Sequence, residues 1–231
     1  MVTQLVSSHL LFAIATGLIP SLLWLFFWLR IDRKNPEPVG LLFFCFLLGA
    51  LGVMVATLIQ HWTKPYLHTP ITQIMVWAGI EEIVKLVAFS LIALHSDYDD
   101  EPVDAAIYLI AAALGFAALE NIFYVLHPQA SFNVTAALLT GSFRFFGSTL
   151  LHAISSGFIG LCIGLAYKEY RGIAMMLGLV GAIFLHTTFN FFILKNDTAS
   201  FLQIYGYLWV AAIISHLIME KLRRLPAFKN T

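Results

Sequence analysis

Residues 71–94 read ITQIMVWAGIEEIVKLVAFSLIAL. At about 20 residues per span, the run is long enough to cross a bilayer as one helix. Its middle carries Glu81, Glu82 and Lys85. One charge at mid-membrane costs about 2.5–3.5 kcal/mol on insertion scales, so three charges this close need partners. Lys85 stands i+4 from Glu81 and i+3 from Glu82, and both spacings bring side chains together on a helix. One ammonium can neutralise one carboxylate; the other is left over, and the remaining chain has to account for it.

Of the 231 residues, 60% are hydrophobic and 11% are charged, against about 25% charged in a soluble domain. Apolar runs of span length recur from end to end. The fold class is therefore an all-α, polytopic membrane protein, organised as one transmembrane domain over residues 1–231. The formal net charge is zero and identifies no partner. The bilayer is a partner by composition, and nucleic acid is not expected. Cys45 and Cys162 fall in apolar runs with no CxxC spacing, so they read as packing residues without a disulfide framework.

The pattern predicts seven spans, near His9–Leu29, Val39–Gln60, Ile71–Leu94, Val103–Leu126, Phe143–Tyr167, Gly172–Leu194 and Phe201–Met219. The first ten residues hold no Lys or Arg, which predicts a retained helix and no signal peptide. Pro20 should kink the first span. Ser131–Ser142 is too short to span and reads as an interfacial helix or a lead into the fifth span. The basic loop residues sort by side. Arg30, Arg33, Lys34, Lys168, Arg171, Lys221, Arg223, Arg224 and Lys229 share one side, against Lys64, Lys195 and Arg144 on the other. That asymmetry predicts the N-terminus outside and the C-terminus in the cytoplasm. The acidic loop His95–Asp104 lacks the glycine and terminal glutamate of a calcium loop. It reads as a solvated turn leading into a helix, with Pro102 in the first turn and acids favoured by the helix dipole.

Ionisable groups recur inside four consecutive spans. Glu81, Glu82 and Lys85 are in the third. Glu120 and Asn121 are in the fourth, His152 with Arg144 two turns earlier in the fifth, and His186 with Asn190 one turn later in the sixth. At 1.5 Å rise per residue, Glu81, Glu82, Glu120, His152 and His186 all fall about 9–17 Å below the outer rim. Arg144, Ser148, His152 and Ser156 recur every fourth residue and form one stripe; His186 and Asn190 share a second, Glu120 and Tyr124 a third. Such stripes suit a common, water-accessible cavity. Three chemistries remain open. A glutamate could activate water while a histidine and Asn190 stabilise an oxyanion, as in a hydrolase. His152, His186 and Glu82 could hold a divalent metal such as zinc, with the other glutamate as base; no HExxH is present. Or the groups could relay protons in a transporter. A structural polar core without catalysis is the remaining possibility.

EEIVK at 81–85, GFAALEN at 115–121, His152 in HAISSG and HTTFN at 186–190 together resemble the PrsW family of intramembrane proteases, in order and in helix placement. EPVD at 101–104 followed by Tyr108 resembles the segment ahead of that family's GFxxxEN helix, with Ala105 where a glycine is expected. The resemblance covers about residues 30–195 and implies a catalytic core over about 71–194. It matches Glu81 and Glu82 to the paired glutamates, the first of them the usual candidate to activate water. It matches His152 and His186 to the two histidines, and Asn190 to the asparagine one turn on. Lys85, Glu120, Asn121 and Arg144 stand as supporting residues. The implied activity is peptide-bond hydrolysis in a membrane-anchored protein at the plasma membrane, by family an anti-sigma factor cut on the extracytoplasmic side. The family was first grouped with metallopeptidases, while its clan is also regarded as glutamate-dependent without metal; one relative in the clan is a non-catalytic subunit.

Overall fold

A computed structural model describes residues 2–31, 33, 35–126, 142–166, 168–194 and 198–225. The described residues form seven α-helices: α1 Val2–Leu29, α2 Val39–Thr63, α3 Pro70–Ile92, α4 Asp104–Leu126, α5 Ser142–Leu165, α6 Arg171–Leu194 and α7 Thr198–Leu222. Each predicted span falls on one helix. The ends follow local chemistry. Thr69 caps α3, its hydroxyl accepting the Thr72 N–H at 3.2 Å, and Pro70 fills the first helical position, where its missing N–H costs nothing. The lead-in at Ser131–Ser142 lies almost wholly outside the described residues.

Six of the helices are long and apolar enough to cross a membrane. The seventh, α3, matches them in length but carries the three charges. Bulky apolar side chains such as Phe26, Leu51, Phe184 and Ile213 lie exposed on the outer helices, as lipid-facing residues do.

Helix α4 is the centre of the bundle. Every residue from Asp104 to Ala118 is buried, and the helix packs against α1, α2 and α5. Its alanines and glycine allow close approach. A Cβ on Gly115 would stand 1.9 Å from the Phe46 carbonyl oxygen of α2, and one on Gly49 of α2 would stand 1.9 Å from the Ala112 carbonyl oxygen of α4. The two helices thus touch backbone to backbone, by the small-residue packing usual in membranes. Helix α3 leans on α2 and α6, so its polar face meets α4, α5 and α6 from the side.

The acidic loop is more ordered than a solvated turn. Asp104 is wholly buried and its Oδ2 accepts the backbone N–H groups of Asp100 and Glu101 at 3.0 and 2.5 Å. Arg171 at the start of α6 donates to both carboxylate oxygens of Asp99, at 2.9 and 2.7 Å. Tyr108 donates to Glu37, which ties the α1–α2 connection to α4. Acidic composition alone does not distinguish solvated carboxylates from ones consumed by capping and loop-to-helix pairing.

Candidate active site

Consecutive residues on a helix point about 100° apart, so Glu81 and Glu82 diverge although both belong to α3. Glu82 is 0% exposed and points into the bundle. Its Oε1 accepts from Lys85 Nζ at 2.5 Å and Ser155 Oγ at 2.9 Å; its Oε2 accepts from Ser156 Oγ at 2.8 Å. His186 Nδ1 lies 2.8 Å from the same Oε1. A carboxylate has no proton to give, so Nδ1 carries the hydrogen, and Nε2 points the other way. There it meets Glu81 Oε2 at 3.5 Å.

Glu81 is held differently. Gln60 of α2 donates its amide to Oε1 at 2.9 Å. Oε2 is buried and has no hydrogen-bond partner. Such an orphan is costly in a native interior and needs a purpose.

On the far side, Lys85 Nζ lies 3.0 Å from His152 Nδ1, and His152 Nε2 lies 2.8 Å from Glu120 Oε2. An ammonium only donates, which assigns the proton to Nε2 and makes Glu120 its acceptor. Lys85 also stands 5.2 Å above the Phe116 ring, within cation–π range. The buried ammonium therefore answers one carboxylate and one imidazole at once. The rings of His152 and His186 meet edge to face, 5.0 Å between centroids.

Glu81, Glu120, Asn121, His152, His186 and Asn190 all line one cavity of about 770 Å³, together with apolar walls from Trp77, Leu151 and Phe189. Glu82 and Lys85 lie behind this surface. Asn121 donates to Thr149 at 3.1 Å. Arg144 belongs to the first turn of α5, and its side chain lies outside the described residues. Among the described residues, the group able to hold a metal is Glu81, His152 and His186, whose ligand atoms lie within 4.8 Å of one another. The trio expected from sequence had Glu82 where the structure brings Glu81. Three contributors were not singled out in the sequence: Gln60, Ser155 and Thr149. Gln60 is an isolated amide near the end of an apolar run, and Ser155 stands one position off the stripe.

Fold and site together define a multi-pass membrane protein with a charged, partly open cavity among its helices. The residue pattern of the family described as PrsW family intramembrane metalloprotease matches residues 37–218. A "Protease PrsW" of Geobacillus kaustophilus is 27% identical over 189 residues, 80% of each chain. A second, of Oceanobacillus iheyensis, is 26% identical over 208 residues, 87% of this chain and 92% of the relative. No solved structure matches. The chain belongs to the PrsW family of intramembrane proteases, and its enzymatic class is peptidase.

Proposed function

We propose that the cavity hydrolyses a peptide bond in a membrane-anchored protein, with Glu81 as the base. The observation that carries this reading is the unpartnered Oε2 of Glu81, buried at the cavity and facing His186 Nε2 at 3.5 Å. A water held between these two acceptors gives a proton to Glu81 Oε2 while its oxygen attacks the scissile carbonyl carbon. Asn190 lines the same cavity and donates to the oxyanion. As the C–N bond breaks, Glu81 returns the proton to the leaving amine, leaving one acid and one amine product. In this scheme His186 aligns water, and Glu82 holds His186 in its tautomer.

The same atoms suit a metal. The orphaned Glu81 Oε2 and the outward lone pair of His186 Nε2 are 3.5 Å apart. Two ligands on tetrahedral zinc at 2.0–2.1 Å stand about 3.3 Å apart. Glu81 and His186 would hold the ion; His152 could join them only by giving up its Nε2 proton to Glu120, because its Nδ1 already accepts from Lys85. When bound, zinc would polarise the carbonyl and make its water more acidic. Glu82 beneath His186 then has the place of the carboxylate that orients a metal-binding histidine.

The loop-charge asymmetry and the depth of the cluster support a cavity that opens on the extracytoplasmic side of the plasma membrane. The family makes an anti-sigma factor the expected substrate.

The test uses purified protein and a membrane-anchored protein whose processing stops when this gene is deleted. Glu81→Gln and His186→Ala should each abolish cleavage in folded protein; full activity in both would sink the proposal. Zinc near one per chain that is lost in both variants would support the metal form, and full activity of metal-free protein would exclude it.

A further inference from the structure

We infer that Gln60 is a positioning residue for the base, an inference that rests on the hydrolytic reading of Glu81. The amide of Gln60 reaches across from α2 and binds Oε1 of Glu81 at 2.9 Å. The other oxygen, Oε2, is left without a hydrogen bond and faces the cavity and His186. A carboxylate turns about its terminal bond through a broad, twofold well. A donor on one oxygen is what chooses which oxygen the reaction sees.

The chemistry of the donor matters. Lys or Arg at this place would give Glu81 a counter-charge and tie up its proton affinity. Asp or Glu would repel it. A carboxamide supplies N–H without net charge, so it orients the base and leaves it free to take a proton. The element carrying the amide is anchored two to four turns before it. Helix α2 is locked to α4 by the Gly49–Ala112 and Phe46–Gly115 backbone contacts, and Gly52 packs on Val84 of α3. Groups that support a reacting side chain from such elements keep it within about 0.5 Å of the productive geometry.

The test screens detergent-purified protein against a mixed quenched-fluorescent peptide library. A peptide cut by the wild type and not by Glu81→Gln is the probe. Gln60→Met keeps the volume and loses the donor. It should lower kcat about 10–100-fold, as loss of an outer-shell partner does, with KM within about twofold and the thermal midpoint unmoved. Ile59→Ala, at a lipid-facing neighbour 38% exposed, should leave both constants unchanged. Wild-type kcat in Gln60→Met overturns the inference. A fall in kcat that comes only with a lowered thermal midpoint also overturns it, since packing alone would produce that result. If neither a library peptide nor the membrane-anchored protein is cut in a Glu81-dependent way, the hydrolytic reading fails first and takes this inference with it.

Discussion

Glu82 Oε1 lies 2.8 Å from His186 Nδ1, and that contact points the opposite nitrogen of the ring at the neighbouring Glu81. Two consecutive residues of α3 thus face one imidazole from its two ends. One acts on the ring's orientation, and the other shares the cavity with it. The pair divides its work through the 100° turn between adjacent helical residues.

Glu81→Gln and Glu82→Gln should therefore fail differently. The first removes the proposed base, whose loss should cost about 10²–10⁴-fold in rate and leave the fold intact. The second leaves the Lys85 ammonium, itself 0% exposed, without its counter-charge. Breaking such a buried pair costs about 3–5 kcal/mol. Thermal unfolding in detergent beside a cleavage assay separates the two outcomes.

Lys85→Met alone should cost about as much as Glu82→Gln, since it strands Glu82 as a buried anion. The double variant should be far less damaged than the sum, with a coupling of about 1–3 kcal/mol. A double-mutant cycle on unfolding free energies measures it. Additive losses would mean that the 2.5 Å contact carries no net interaction.

Asn190→Ala should spare stability and remove activity. Its side chain lines the cavity. Loss of one oxyanion donor lowers kcat by about 10²–10³-fold. Steady-state kinetics and an unchanged unfolding midpoint are the expected pair of results.

Gly49→Ala and Gly115→Ala should each force α2 and α4 apart, because the added Cβ would meet a carbonyl oxygen at 1.9 Å. Overpacking of this kind costs about 1–3 kcal/mol or more. Loss of thermal stability should appear in both, and activity should fall with it as Gln60 and Glu81 separate.

The helices were legible because a bilayer sets span length and polar breakers set the ends. Val39, Pro70, Asp104 and Arg171 open helices at or within a residue of the expected positions. The gathering of Glu81, Glu120, His152 and His186 was also legible, from their shared depth. Pairing across helices was not. His152 takes both Lys85 and Glu120, partners 67 and 32 residues away, and no spacing rule reaches that far. Which glutamate faces the cavity depends on how α3 is rotated against α6. Gln60 gives no such signal, because a single amide in an apolar run costs little. The loop acids misled for the opposite reason: Asp99 and Asp104 are strongly polar residues that the fold nonetheless buries.

The charges of α3 bear on how the chain enters the bilayer at all. Three ionised side chains cost about 7–10 kcal/mol at mid-depth, while each Leu, Ile, Phe or Val returns only about 0.3–0.6 kcal/mol. Released alone from a translocon, α3 is a poor passenger. Ser155, Ser156, His152 and His186, which quiet its charges, are all synthesised later. The Lys85–Glu82 pair and Gln60 offset part of this cost, and the rest predicts that the segment settles in the bilayer only once α5 and α6 emerge. A fusion ending after α3 should insert inefficiently, and one extended through α6 should restore it. On the proposed mechanism, a substitution that quiets the charges of α3 should ease insertion while disabling the enzyme.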